Sequence, residues 1–204
     1  MKIGVVGAGK MGGGFARALA PKHEVAIGSR EPERGSMLAK EIGAAKGGSY
    51  ADAAADAEVV FLTVPWPAVD QTLAELGDLA GKVLVDVTNP FVGGKLQLHE
   101  NSSNAEVIQR QVPKTRVVKG WNTIFAPVLN SSPVFDGQAA SVFLASEDEK
   151  AKEIVAGLAR DMGFDPVDAG PLTGARDLEG LMEHIGTLGH GFEYGSWALR
   201  VLRR

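Results

Sequence analysis

Lys2-Ile3-Gly4-Val5-Val6-Gly7-Ala8-Gly9-Lys10-Met11-Gly12 decides the fold of this 204-residue chain. The run Lys2–Val6 reads as a buried strand, and a G-x-G-x-x-G loop follows it at Gly7, Gly9 and Gly12. In such a loop the first glycine permits a tight turn and the second lets backbone approach a pyrophosphate. The third lets the next helix pack closely on the strand. A helix starting near Lys10 and Met11 then offers unsatisfied N–H groups and the positive end of its dipole to an anion. Taken alone, the same stretch reads as a tight strand-to-helix turn, and Gly13 and Gly14 make it glycine-rich in any case.

The next strand ends in Gly28-Ser29-Arg30, with Ser29 20 residues past Gly9. Dinucleotide sites of this type place an acid there to bond the ribose 2′-hydroxyl. A hydroxyl and a guanidinium suit a 2′-phosphate instead, which a carboxylate would repel. The predicted cofactor is therefore NADP(H). Arg34, at the opening of the following helix, can reach that phosphate from the other side. It reads equally well as a solvated arginine in a charged turn with Glu31 and Glu33.

Outward from this unit, strand and helix patterns alternate, which predicts an α/β, doubly wound, mostly parallel sheet. A helix near Lys10–Leu19, a strand at Glu24–Gly28 and a helix over roughly Glu31–Ile42, ended by Gly43, come first. Glu58–Val64 and Lys82–Val87 are continuous apolar runs of the kind buried on both faces of a parallel sheet. A Gly-containing loop over Phe91–Asn101 leads to a helix at Ser103–Gln111 and strand Arg116–Lys119. Strand Ala140–Ala145, helix Asp148–Met162 and strand Phe164–Asp168 complete the alternation. Gly170-Pro171 breaks it before a largely helical tail, Ala175 to Leu202, whose glycines predict an interrupted or closely packed course.

Composition narrows the function. The absence of cysteine removes disulfides, a thiol nucleophile and Cys–metal sites, and is compatible with a reducing cytoplasm. A net charge of −4, with both signs mixed along the chain, suggests neither a nucleic-acid surface nor an anionic membrane face. The longest near-apolar run, Val59–Val69, is too short to span a bilayer and contains two prolines. The expectation is a cytoplasmic protein without nucleic-acid or membrane partners.

Ligands of open α/β sheets bind at the carboxyl ends of the strands. Val64-Pro65-Trp66 and Thr88-Asn89-Pro90-Phe91 fall there, and Trp66 or Phe91 can pack on a planar ring or serve as a core plug. The third loop, Gly120-Trp121-Asn122-Thr123-Ile124, offers Asn122 and Thr123 as neutral groups that orient a carbonyl or a ring edge. His23 and His99 read as exposed, and His184 and His190 have the wrong spacing for one helical face, so no metal site is expected. No G-x-S-x-G is present. Hydride transfer needs no covalent nucleophile, because the cofactor carries that chemistry.

The chain resembles the small NADPH:coenzyme F420 oxidoreductase family and its relatives, including the cytoplasmic reductase domain of the STEAP metalloreductases. The resemblance covers nearly the whole length. It rests on Gly7–Gly12, Gly28-Ser29-Arg30 with Arg34, Val64-Pro65-Trp66 and Val118-Lys119-Gly120-Trp121-Asn122-Thr123. Its most specific block is Asp168-Ala169-Gly170-Pro171-Leu172 with Arg176 and Leu178-Glu179. The resemblance implies a Rossmann-type NADP-binding domain over 1–170 and a small helical extension over 171–204 that closes the cleft, with a homodimer possible. Gly7, Gly9, Lys10, Met11 and Gly12 would cradle the pyrophosphate, and Ser29, Arg30 and Arg34 the 2′-phosphate. Val64, Pro65, Trp66, Asn89 and Pro90 would line the cofactor path, and Asn122 to Ala126 would approach the nicotinamide and a planar acceptor, F420 or a flavin. Archaeal F420 reductases carry a histidine where this chain has Asn122, and the Lys-Gly-Trp-Asn form is closer to the STEAP domain. A reductase of the pyrroline-carboxylate or imine type, suggested by Gly9-Lys10-Met11-Gly12, and a non-enzymatic NADPH sensor stand as alternatives.

Overall fold

The computed structural model describes residues 1–191 and 196–203. The chain runs β1 (Lys2–Val6), α1 (Lys10–Leu19), β2 (Glu24–Gly28), α2 (Pro32–Ile42), β3 (Lys46–Gly48), α3 (Tyr50–Ala54), β4 (Val59–Leu62), α4 (Val69–Glu75) and β5 (Val83–Asp86). A small hairpin of β6 (Phe91–Val92) and β7 (Lys95–Leu96) precedes α5 (Asn104–Gln111) and β8 (Arg116–Lys119). Then come α6 (Ala126–Asn130), the hairpin β9 (Val134–Phe135) and β10 (Gln138–Ala139), β11 (Ser141–Leu144), α7 (Glu149–Asp161), β12 (Asp165–Asp168) and α8 (Ala175–Gly191).

Six strands form one sheet in the order β3-β2-β1-β4-β5-β8, and every neighbouring pair is parallel. The chain moves one way from β1 to β3 and the other way from β4 to β8. Right-handed crossovers therefore place α1 and α2 on one face and α4 and α5 on the other. The strand order reverses between β1 and β4, and ligands of such sheets bind at the carboxyl ends near that switch. The parallel pair β11 and β12 extends the sheet through a single antiparallel bridge, Lys119 to Ala145.

Strand side chains alternate between two cores. Val5, Phe61, Val85 and Val118 pack with Phe15 and Leu19 of α1 and with Val155 and Leu158 of α7. Val6, Leu62, Leu84 and Val117 pack with Leu73 of α4 and Ile108 of α5. Burial on both faces explains why β4 and β5 read as unbroken apolar runs.

The doubly wound α/β architecture follows the expectation, with element ends moved by one or two residues. Ser103 and Asp148, expected inside helices, are the caps of α5 and α7, their side chains accepting from the N–H groups of Glu106 and Ala151. Three departures have physical causes. The Lys46-Gly47-Gly48 strand lacks any strand-forming side chain. It exists because α2 presses on it so closely that a Cβ on Gly47 would lie 2.5 Å from the Gly35 carbonyl oxygen. The loop expected over Phe91–Asn101 contains the β6–β7 hairpin. The tail expected to be helical to Leu202 is a helix only as far as Gly191, continuous through Gly180, Gly186 and Gly189, and residues 196–203 are not helical. That last segment lies beside β11 instead, with Ser141 N–H donating to the Leu199 carbonyl at 2.8 Å. Among the described residues no helix is long and apolar enough to cross a membrane.

Candidate functional site

The glycine loop has the geometry its spacing implies. Gly7 sits at φ +117°, and its N–H donates to the Gly28 carbonyl at 2.9 Å, tying the loop to the end of β2. A Cβ on Gly12 would collide with the Gly7 carbonyl oxygen, so the approach of α1 to the loop excludes any side chain there. Gly9 is the N-cap of α1 and supplies no side-chain cap. The first intrahelical bond is Gly13 N–H to Gly9 C=O at 2.8 Å, which leaves the N–H groups of Lys10, Met11 and Gly12 without helical acceptors. No acidic residue occupies the first turn. This is a cradle for an anion with open space over Gly9, where nothing lies within 4 Å of an added Cβ.

A cleft of about 470 Å³ opens beside the loop and brings Ala8, Gly9 and Lys10 together with Arg34 and Ala126. Gly13, Arg17, Leu38, Pro127 and Asn130 complete its lining and carried no signal in the sequence. Ser29 is 7% exposed at the end of β2, while Arg30 and Arg34 are exposed. Arg17, Arg160, Arg176 and Arg203 pair with carboxylates; Arg30 and Arg34 have no such partner among the described residues. Ser29 and Arg30 thus follow β2 where a carboxylate would be expected in an NAD site, with Arg34 in the first turn of α2.

The remaining candidates gather at the carboxyl ends of β4, β5 and β8, apart from that cleft. Val64 and Pro90 are buried, Pro65 is exposed, and Asn89 is half-buried. Trp66 is half-buried in a 3₁₀ turn, its ring edge-on to His99 at 5.4 Å. Phe91 is exposed rather than a core plug. Trp121 takes φ +55°, a conformation rare for a bulky residue. This turn sends its ring into the core against Phe15 and Phe61 at 5.5 and 5.7 Å. Asn122 meets α8 instead. Its Nδ2 donates to the Leu178 carbonyl at 2.8 Å and to Asn89 Oδ1 at 3.0 Å, and Asn89 Nδ2 returns a bond to the Asn122 carbonyl at 2.8 Å. Asn122 Oδ1 is buried without a partner among the described residues, as is Trp121 Nε1. Thr123 is buried beside it.

Two histidines depart from expectation. His23 is half-buried, with Nε2 at 3.1 Å from Asp161 Oδ2. His99 is half-buried as well and bonds Asn104 Oδ1 at 2.8 Å. His184 is exposed, and the side chain of His190 lies outside those described. Among the described residues no cluster has the makings of a metal site.

Sequence reasoning missed one feature of this region. Lys119, fully buried at the end of β8, donates to Asp86 Oδ2 at 2.9 Å, Glu179 Oε1 at 2.7 Å and the Thr88 carbonyl at 2.6 Å. Glu179 Oε2 accepts from Asn104 N–H at 2.9 Å, and Asn104 Nδ2 donates to Thr88 Oγ1 at 2.8 Å. Burial disfavours the Lys119 charge, but its two carboxylates outweigh burial and raise its pKa. Glu179 is also raised, because burial and the Asp86 charge together exceed the pull of Lys119. The available signal was a charged residue directly after an apolar run in each of two strands, Asp86 after Val83-Leu84-Val85 and Lys119 after Val117-Val118.

The block after β12 is charged for similar structural reasons. Asp168 pairs with Lys152 at 2.7 Å, and Arg176 grips Glu106 through Nε at 2.8 Å and Nη2 at 2.5 Å. With Glu179 on Lys119, these contacts fasten the C-terminal segment to the sheet and to α5.

The fold and its glycine loop define a Rossmann-type dinucleotide-binding protein. Residues 2–90 match the family described as NADP oxidoreductase, coenzyme F420-dependent. The chain is 36% identical over 202 residues to the F420-dependent NADP reductase of Methanothermobacter thermautotrophicus, covering 88% of this chain and 85% of that one. It belongs to this family of NADP-dependent oxidoreductases and is an enzyme. A solved structure from Arthrobacter sp. FB24, whose candidate identity is an F420-dependent NADP reductase, superposes with a TM-score of 0.89 at 34% identity over 100% of both chains. The chain is also 37% identical over 186 residues to the metalloreductase STEAP3 of Rattus norvegicus. That match covers 88% of this chain but only 36% of the relative, so the chain spans about a third of the STEAP protein's length.

Proposed function

We infer that this enzyme transfers hydride between NADPH and a planar deazaflavin or flavin acceptor. The observation that carries the NADP assignment is a pair of arginines without a carboxylate partner among the described residues, Arg30 just past β2 and Arg34 in the first turn of α2. Together with Ser29 they supply charge-assisted donors for a 2′-phosphate. The N–H groups of Lys10, Met11 and Gly12 hold the pyrophosphate at the start of α1.

Val64, Pro65, Trp66, Asn89 and Pro90 guide the cofactor across the strand ends. NADPH, when bound, supplies the hydride from its nicotinamide ring. Asn122 fits the nicotinamide end, because its buried Oδ1 is an acceptor without a partner and a carboxamide N–H is the donor it needs. Asn122 and Thr123 orient the ring, and Ala126 lines the cleft at the glycine loop, on the phosphate side of the cofactor. The segment after Pro171, fastened by Arg176 and Glu179, closes the same side of the site. The task of these side chains is to align and to exclude water, which is how orientation lowers the barrier for a step the cofactor itself performs.

F420 is the acceptor expected from the reductase relatives, and FMN and FAD share its planar ring and hydride-accepting centre. Stopped-flow oxidation of NADPH with each acceptor tests the reading. Acceptor-dependent oxidation with F420 or a flavin is the expected outcome. Tight NADPH binding with no oxidation by any of the three would overturn it.

A further inference from the structure

The carboxyl edge of the sheet carries a buried charge cluster whose members do not themselves accept hydride. Lys119 and Asp86 are register partners on β8 and β5, so their side chains leave the sheet on the same face. The three N–H donors of the ammonium meet three acceptors: Asp86, Glu179 and the Thr88 carbonyl. Two carboxylates on one ammonium are a poor way to gain stability, since well-packed apolar residues serve as well or better. The cluster is better explained by what it fixes.

Its ligands flank the partners of Asn122. Thr88 precedes Asn89, which exchanges bonds with Asn122 in both directions. Glu179 follows Leu178, whose carbonyl accepts from Asn122 Nδ2. Asn104 ties the same Glu179 to Thr88 and, through His99, to the edge of Trp66. Both donor bonds of the Asn122 amide therefore end on residues next to a Lys119 ligand, while its Oδ1 has no partner.

We propose that Lys119, Asp86 and Glu179 are positioning residues that set the orientation of the Asn122 amide, with Glu179 fixing it from the C-terminal helix. This rests on the reading of Asn122 as the group that orients the nicotinamide. Lys119 holds the Thr88–Asn89 turn from below, Glu179 holds α8 from above, and the amide between them has one rotational state that satisfies both donors.

The test is Glu179→Gln in the full chain, which keeps the side-chain shape and leaves Lys119 and Asp86 as a one-to-one pair. The readouts are NADPH affinity by fluorescence without acceptor, and the single-turnover rate of NADPH oxidation by F420 and FMN at saturating NADPH. The expected result is a rate at least ten-fold lower with NADPH affinity within two-fold of wild type. In a cycle with Asn122→Ala, the double variant should be no slower than Asn122→Ala alone, because Glu179 acts through Asn122. An unchanged rate, or two losses that multiply as independent effects, overturns the proposal. If Glu179→Gln does not fold, Asp86→Asn is judged on the same rate and the same cycle. Failure of the functional reading looks different: a wild-type chain that does not oxidise NADPH with either acceptor removes that reading and the proposal together.

Discussion

On the proposed reading, the cofactor choice rests on two side chains, Arg30 and Arg34. Both are exposed and lack carboxylate partners among the described residues, so each is available to a phosphate. Arg30→Ala is expected to weaken NADPH about ten- to a hundred-fold, the range for a charge-assisted hydrogen bond, and to leave NADH binding nearly unchanged. Titration of both nucleotides against the variant checks this; equal losses would remove the 2′-phosphate assignment. Gly12 is constrained differently. Since a Cβ there meets the Gly7 carbonyl, Gly12→Ala should lower stability by about 1–3 kcal/mol, as overpacking does, and weaken NADPH by displacing the loop. Chemical denaturation and a binding isotherm measure the two effects separately.

At the scale of elements, α3 depends on local chemistry and α8 on packing. The five-residue α3 carries a full capping box: Ser49 Oγ accepts from Asp52 N–H at 3.2 Å, and Asp52 Oδ2 accepts from Ser49 N–H at 2.9 Å. Ser49→Ala should cost about 0.5–2 kcal/mol, read as a shifted denaturation midpoint at unchanged slope. Helix α8 presents the opposite case. Gly180 lies in its course with nothing within 4 Å of an added Cβ, so Gly180→Ala should stabilise by about 0.5–1 kcal/mol. A lower melting temperature would show that the close approach of another segment, rather than chance, keeps glycine there. The glycines of this tail suggested a broken helix to a propensity argument. The ion pairs that fasten its first turns, Arg176 on Glu106 and Glu179 on Lys119, act on tertiary neighbours that propensity does not consider.

For the whole molecule, the charges that fasten the C-terminal segment predict how stability varies with pH. Arg176 and Ser103 hold Glu106 below its ordinary 4.5, and Lys152 with the Gly170 N–H holds Asp168 below 3.8. Asp161 is lowered by Lys22 and His23. A carboxylate with a depressed native pKa contributes stability that is fully present above its unfolded pKa and is lost as pH falls through the native one. Denaturation midpoints should therefore hold near neutral pH and fall below roughly pH 4.5, as the unfolded chain takes up protons first. Glu106→Gln should flatten part of that fall. A midpoint that already declines at pH 6 would rule these carboxylates out as the cause.

The doubly wound sheet, its glycine loop and the Ser29-Arg30 pair that follows β2 in place of an acid were legible in the sequence alone. These depend on local spacing, on glycines at fixed offsets, and on apolar runs that only a twice-covered sheet can bury. Legibility stopped where the cause is a distant neighbour. Lys46-Gly47-Gly48 is a strand because α2 lies against it, and His99 is half-buried because Trp66 and Asn104 receive it. The charge cluster of Lys119, Asp86 and Glu179 joins residues 33 and 60 positions apart, a distance across which no periodicity carries information. Only the tertiary structure decided that these charges meet at the carboxyl edge of the sheet and that the Asn122 amide bonds both Asn89 and Leu178 beside them. A buried ion finds its partners through the register of the strands and the docking of the last helix, neither of which is written in any single stretch of the chain.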